Sequence, residues 1–125
     1  MLYSDILLLK DILENEKIPF EFEKAYDGYQ LGYPVISGYI CRVMEHRYSN
    51  GGAYDLLEIE GLTKNDEDGV TGYLTALDVA ERIKSHWEAY EDIVKELYGL
   101  WKRTDFFKTL RSIQKHIWRI TQLPF

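Results

Sequence analysis

The chain has one cysteine, three prolines and no apolar run long enough to cross a bilayer. A lone Cys41 can close no intramolecular disulfide and cannot supply a multi-cysteine zinc site, which points to a reducing intracellular compartment. The apolar stretch Ile6 to Leu9 is far shorter than a signal-peptide core or a membrane helix and lacks a basic leader, so a cytoplasmic location is expected. Collagen-like, low-complexity and disordered classes are excluded, because 46% of the 125 residues are hydrophobic and 14% aromatic. That length supports one core. A single domain over 1–125 is expected, with a body over about 1–98 and a basic helical extension over about 99–125.

Charge of one sign is scarce at each end of the chain. Residues 1–70 hold 14 acidic and 6 basic side chains, 71–97 hold 6 and 3, and 98–125 hold 1 and 6, giving the net charge of −6. An acidic body thus carries a basic tail. Neutralisation of one by the other inside the fold is the simplest account, and partner binding is the alternative.

Leu2, Ile6, Leu9 and Leu13, with Ile12, recur at helical spacing and predict a helix over about 3–16, stopped by Pro19. Phe20 to Glu23 and Tyr29 to Tyr33 alternate on either side of Asp27-Gly28, the pattern of a hairpin. Tyr39 to His46 alternates again, with Ile40 and Met44 opposite Cys41 and Val43, as in a central strand covered on both faces. Tyr54 to Leu62 follows the loop signal Asn50-Gly51-Gly52 and reads as a strand, with a helix as the other option. Lys64 to Gly69 is a polar loop, and Val70 to Tyr73 a short extended return. Thr75 and Asp78 have capping-box spacing, and the stripe Ala76, Ala80, Ile83, Trp87, Tyr90, Val94, Leu97 predicts a long helix behind them. Gly99 and Thr104-Asp105 interrupt that stripe, and a last helix is expected over about 105–121. The expected fold is α+β: an N-terminal helix, an antiparallel sheet of three to four strands, then two C-terminal helices packed on the sheet.

Chemistry-bearing patterns are few, and no catalytic residue, metal ligand or cofactor is expected. Cys41 sits among apolar neighbours, and His46 five residues on faces the other way along a strand, so no thiol–imidazole pair forms. The glycines at 51, 52, 69 and 72 lack the lysine and spacing of a phosphate loop. Setting Gly69 at the glycine position of an EF-hand loop puts Lys64 and Thr75 where carboxylates belong. His46, His86 and His116 are too scattered for zinc. Glu45, Asp55, Glu58 and Glu60 are the one carboxylate set that neighbouring strands could bring together.

Ten tyrosines stand out, seven of them (Tyr26, Tyr29, Tyr33, Tyr39, Tyr48, Tyr54, Tyr73) in the sheet region. Half-buried strand positions explain such a set, and so does a partner-binding surface, where tyrosine offers large rigid contact area. Candidate protein contacts are Tyr29, Tyr33, His46, Tyr48 and Tyr54. The last helix carries a separate cationic stripe, Lys108, Arg111, Lys115 and Arg119, the basis of a nucleic-acid alternative that a pI near 5.0 opposes. With Trp101, Phe106, Phe107 and Trp118 that helix also offers a face to a membrane surface or a second copy, although packing on its own sheet is more economical.

Taken together, Tyr26 to Pro34, Glu45 to Gly52, Asp55 to Ile59, Gly61-Leu62 and Gly72 to Ala76 resemble short accessory proteins encoded by phages, prophages and mobile elements of low-GC Gram-positive bacteria. The resemblance covers roughly residues 17–88. Members of that group often end soon after the helix that here carries Ile83 to Trp87, so the basic tail departs from the pattern. The group has no assigned activity, and no site residue carries over from it. The resemblance implies a non-enzymatic protein that binds and blocks or redirects a host protein, defence nucleases included, and an acidic surface suits that role. The two binding readings separate by salt. Retention of DNA or RNA that falls steeply with salt and weakens in Arg111→Gln/Lys115→Gln, measured by filter binding, is the outcome of the nucleic-acid alternative, and no such retention is expected of the protein-binding one.

Overall fold

Helix α1, Ser4–Asn15, buries Ile6, Leu9 and Leu13 on one face, in a computed structural model that describes residues 3–63 and 69–101. Its end is set before Pro19 is reached. Lys17 turns left-handed (φ 57°), its N–H donates to the Glu14 carbonyl, and the Ile18 N–H reaches back to Leu13, closing a Schellman motif. Buried Ile18 packs in the core beside that closing turn. Leu2 lies outside the described residues.

Strands β1 Glu21–Ala25, β2 Gly28–Tyr33, β3 Cys41–Glu45, β4 Leu57–Glu60 and β5 Val70–Leu74 form one antiparallel sheet in chain order. The hairpin register Ala25↔Gly28 through Glu21↔Gly32 puts Phe22 beside Leu31, which in turn faces Val43 and Ile59 across the next two strands. That row is the inner face of the sheet, and Leu31, Val43 and Ile59 are completely buried. Each fully buried aliphatic side chain contributes about 1.5–3 kcal/mol, so this layer carries the fold.

Helix α2, Ala76–Trp101, opens with the expected capping box: the Asp78 N–H donates to the Thr75 hydroxyl at 3.2 Å, and the Thr75 N–H to the Asp78 carboxylate at 3.2 Å. Its stripe lies against the sheet and α1, with Val79, Ile83 and Val94 fully buried. The helix kinks at Tyr90 (φ −130°, ψ 28°), where the tyrosine ring packs 4.9 Å from His86 one turn earlier.

Three expectations change. The sheet has five strands rather than three or four, because the return at 70–74 pairs with β4 through its main chain, across a register shift that leaves no side-chain alternation to read. β3 is central, with Cys41, Val43 and Glu45 fully buried on its inner face and Arg42 and Met44 only half-covered on its outer face. The long helix continues through Gly99 to Trp101, since a glycine costs a helix only about 1 kcal/mol and Leu97 and Leu100 on either side pack on the core. The second C-terminal helix, over about 105–121, falls outside the described residues.

The connection from β2 to β3 folds back over the outer face of the sheet, and Gly32 is the place it crosses. A Cβ there would lie 2.5 Å from the Ile36 main chain, and the Glu21 carboxylate accepts the Ile36 N–H at 2.8 Å to hold the crossing. Gly32→Ala is therefore expected to lower stability by about 2 kcal/mol in urea unfolding, and an unchanged midpoint would contradict this packing.

Candidate functional site

One end of the sheet gathers the β1–β2 turn, the start of the β3–β4 connection, the end of β5 and the first turns of both helices. The β3–β4 connection is pinned by its own polar groups. The His46 N–H donates to Ser49 Oγ (2.9 Å), Ser49 Oγ donates back to the His46 carbonyl (2.7 Å), and the Tyr48 N–H donates to His46 Nδ1 (3.1 Å), leaving Nε2 as the donor of the ring. Asn50 then joins it to two strands: its N–H donates to Glu58 at 3.0 Å, and its carbonyl accepts the Tyr73 N–H at 3.1 Å. Gly51 takes φ 100°, a conformation open to glycine, before a single 3-10 turn at Gly52–Tyr54.

Four tyrosines project from this frame: Tyr26 is 77% exposed, Tyr54 73%, Tyr48 67% and Tyr73 60%. Tyr26 lies 4.7 Å from the buried His46 ring and 5.2 Å from Tyr48, edge to face, while Tyr54 and Tyr73 pair at 6.2 Å. The Arg47 guanidinium covers Tyr48 at 5.3 Å. Asp27 accepts the Arg47 N–H (3.0 Å) and the Tyr3 hydroxyl (3.0 Å), and the first of these holds its carboxyl below the ordinary range. Tyr3, Tyr26, Asp55 and Tyr73 all have φ between 55° and 59°. A non-glycine residue in that region costs on the order of 1 kcal/mol, and at Tyr26 and Tyr73 that cost falls on rings that stay in solvent.

Beneath the tyrosines lies a carboxyl pair. Tyr3, at the start of α1, offers no side-chain cap, and Glu45 from the end of β3 replaces it: its Oε1 accepts the Ile6 N–H at 3.1 Å. Glu45 is fully buried, and no donor among the described residues faces its Oε2. Burial, with Asp55 and Asp5 nearby, pushes its carboxyl up to about 7. A proton on Glu45 lets it donate to the Asp55 side chain, which itself accepts the Tyr3 N–H at 3.4 Å. Asp5 in turn accepts the Ala76 N–H at 2.9 Å and so joins α2 to α1.

The candidate contacts named from sequence divide. Tyr48 and Tyr54 stand on this surface, and His46 is the buried ring under it. Tyr29 is half-buried on the inner face between Tyr3 (5.7 Å) and Phe22 (5.0 Å). Tyr33 is not on any surface: it is fully buried at the other end of β2, its hydroxyl 2.7 Å from His86 Nδ1, and burial raises it. The error came from parity, since Tyr33 shares the inward face with Leu31. Tyr26 and Tyr73 were missed as contacts, although Tyr26 adjoins the Asp27-Gly28 turn, where a ring points outward. Of the four carboxylates, only Glu45 and Asp55 meet; Glu58 holds Asn50, and Glu60 pairs with Arg42 at 2.7 Å on the outer face. Cys41 is buried with its thiol pushed up, at the far end of β3 from His46, roughly 17 Å along the strand. Lys108, Arg111, Lys115 and Arg119 lie outside the described residues.

Among the described residues, no group of three or more His, Cys, Asp or Glu side chains is arranged to hold a metal ion, and no helix is long and apolar enough to cross a membrane. No protein-family model, curated protein or solved structure matches the chain.

A carboxyl raised from 4.5 to about 7 binds its proton more tightly in the folded chain, so its stabilisation is complete below 4.5 and is lost as pH rises through 7. Glu45→Gln keeps an acceptor for Ile6 and a permanent donor for Asp55. It is expected to leave stability unchanged at pH 4.5 and to raise it by about 2 kcal/mol at pH 8.5 in denaturant titrations. A loss at pH 8.5 would show that the ionised carboxylate is the stabilising form.

Proposed function

We propose that this chain works by binding another protein through the tyrosine-rich end of its sheet, and that the partner is a host or defence protein that it blocks or redirects. The observation that carries the reading is the set Tyr26, Tyr48, Tyr54 and Tyr73, each at least 60% exposed, on a hydrogen-bonded frame in which Tyr26 and Tyr73 take left-handed backbone. Rigid aromatic side chains lose little entropy on docking and dominate contact energetics. Asp27 beside Arg47 and Asp55 next to Tyr54 bring acidic groups to this end of an acidic body, which favours a basic partner and disfavours phosphate backbones. Binding is favoured over catalysis because the convergent carboxyl pair is committed to main-chain amides and Glu45 is sealed from solvent. The host setting rests on the resemblance to phage and mobile-element accessory proteins.

The test is affinity capture by the tagged full chain from a lysate of a low-GC Gram-positive bacterium, with and without nuclease, beside Tyr26→Ser/Tyr48→Ser. A nuclease-resistant, near-stoichiometric protein that the variant retains at least about tenfold less is expected. Equal capture by the variant removes this surface from the reading. Loss of every partner on nuclease treatment moves it to the basic stripe.

A further inference from the structure

We propose that a proton shared between Glu45 and Asp55 latches the β3–β4 connection to the start of α1, so that the tyrosine-rich end is fully ordered while the proton is present and loosens when it leaves. The latch concerns how this surface is held and stands whether or not protein binding is its use.

Two carboxyl groups bond to each other only with a proton between them, because two carboxylates offer acceptors and no donor. Glu45 and Asp55 make such a bond, and it joins three elements. Glu45 stands at the end of β3 with no exposure and accepts the Ile6 N–H of α1 at 3.1 Å. Asp55 closes the 3-10 turn Gly52–Tyr54 and accepts the Tyr3 N–H at 3.4 Å. The N–H groups of Tyr54, Asp55 and Leu56 donate to Gly51 and Gly52 inside the same loop, and the Asp55 side chain ties that turn to α1 and β3. Tyr3 carries the tie onward, since its hydroxyl donates at 3.0 Å to Asp27, next to Tyr26 in the β1–β2 turn. Two of the four exposed tyrosines, Tyr54 and Tyr26, are thus sequence neighbours of groups that the latch holds.

The surroundings leave the proton as the deciding group. From α1 come Tyr3 and Asp5, from the connection Asp55, and from β2 Tyr29, opposite Glu45 in register. His46 and Arg47 follow Glu45 in the chain, but the His46 ring is bonded to the Tyr48 N–H, and Arg47 lies 3.9 Å from Asp27 and over the Tyr48 ring. Among the described residues no ion pair reaches Glu45. The first turn of α2 brings the Ala76 N–H, taken by Asp5, and Asp78, bonded to Thr75. Ionised Glu45 would therefore be desolvated beside two further carboxylates, and burial with Asp55 and Asp5 pushes its carboxyl up to about 7. The bond is complete below 4.5 and is lost as pH rises through 7. Its loss removes the donor and sets like charges against each other. β3 is paired on both sides, so the 52–56 turn and the first turn of α1 are the parts that yield.

The experiment is hydrogen exchange of the full chain, read by mass spectrometry at pH 5.5 and 8.5 and corrected for the intrinsic pH dependence of exchange. Protection in 3–8 and 52–56 is expected to fall at least about tenfold at the higher pH, while 29–33 and 41–44 in β2 and β3 keep theirs. Glu45→Gln carries a permanent donor to Asp55 and is expected to show equal protection at both pH values. Asp55→Asn still accepts the Tyr3 N–H and can donate to an ionised Glu45, so it is expected to shrink the loss severalfold. Equal protection of the parent chain at both pH values overturns the proposal. So does a loss that Glu45→Gln or Asp55→Asn leaves undiminished, or one that spreads equally to β2 and β3, the mark of global destabilisation without a local latch.

Discussion

The first turn of α1 has an amide, the Ile6 N–H, that no side-chain cap of its own satisfies, and a carboxyl from β3 meets it. Glu45 is buried without any exposure, at the end of the central strand, with its Oε1 on the Ile6 N–H. A buried carboxylate without a cation beside it is expensive, and a buried protonated one that donates as well as accepts is not. The pairing with Asp55 supplies that second bond and draws the β3–β4 connection down onto the Tyr3 amide. Asp5 then extends the chain of caps from α1 to the first amide of α2. Three elements far apart in sequence are thus oriented by donors and acceptors that belong to one another, and hydrophobic burial along the inner sheet face supplies the bulk energy without that directional information.

The opposite region of the core contains another buried titratable group with a large shift. His86, fully buried in α2, bonds Tyr33 and is held neutral, its pKa lowered by burial to about 4. A lowered histidine stabilises the neutral form, so its contribution is complete above its ordinary value near 6.5 and is lost as pH falls towards 4. Glu45 has the reverse sign over an overlapping range. Between about 4.5 and 6.5 the two slopes oppose each other, which flattens the pH dependence these groups would impose singly.

The frame beneath the tyrosines has a consequence for what stands on it. Left-handed backbone at Tyr3, Tyr26, Asp55 and Tyr73 persists only where the surroundings over-determine it, and here those surroundings are the cap at Glu45, the Asn50 bridge and the Asp27 bonds. Exposed aromatic rings on that mount are the feature on which the proposed protein-binding role rests. Buried Glu45 and its bond to Asp55 belong to the same arrangement that mounts the surface.

Much of the fold was legible because it is local. The 3.6-residue stripe of α2, the Thr75–Asp78 box and the alternation about Asp27-Gly28 depend on neighbours a few residues away, so the α+β class and most elements follow from spacing alone. β5 was under-read because main-chain pairing leaves no mark on side chains, and Tyr33 was misassigned because the parity of a strand does not say which face the helices will cover. The composition already contained an acidic, tyrosine-rich body. Only the tertiary structure decided which tyrosines stay in solvent and that Glu45 and Asp55, but not Glu58 or Glu60, come together. Those outcomes depend on register and on loops folding back across the sheet, which are contacts between residues distant in sequence and are encoded by no local pattern.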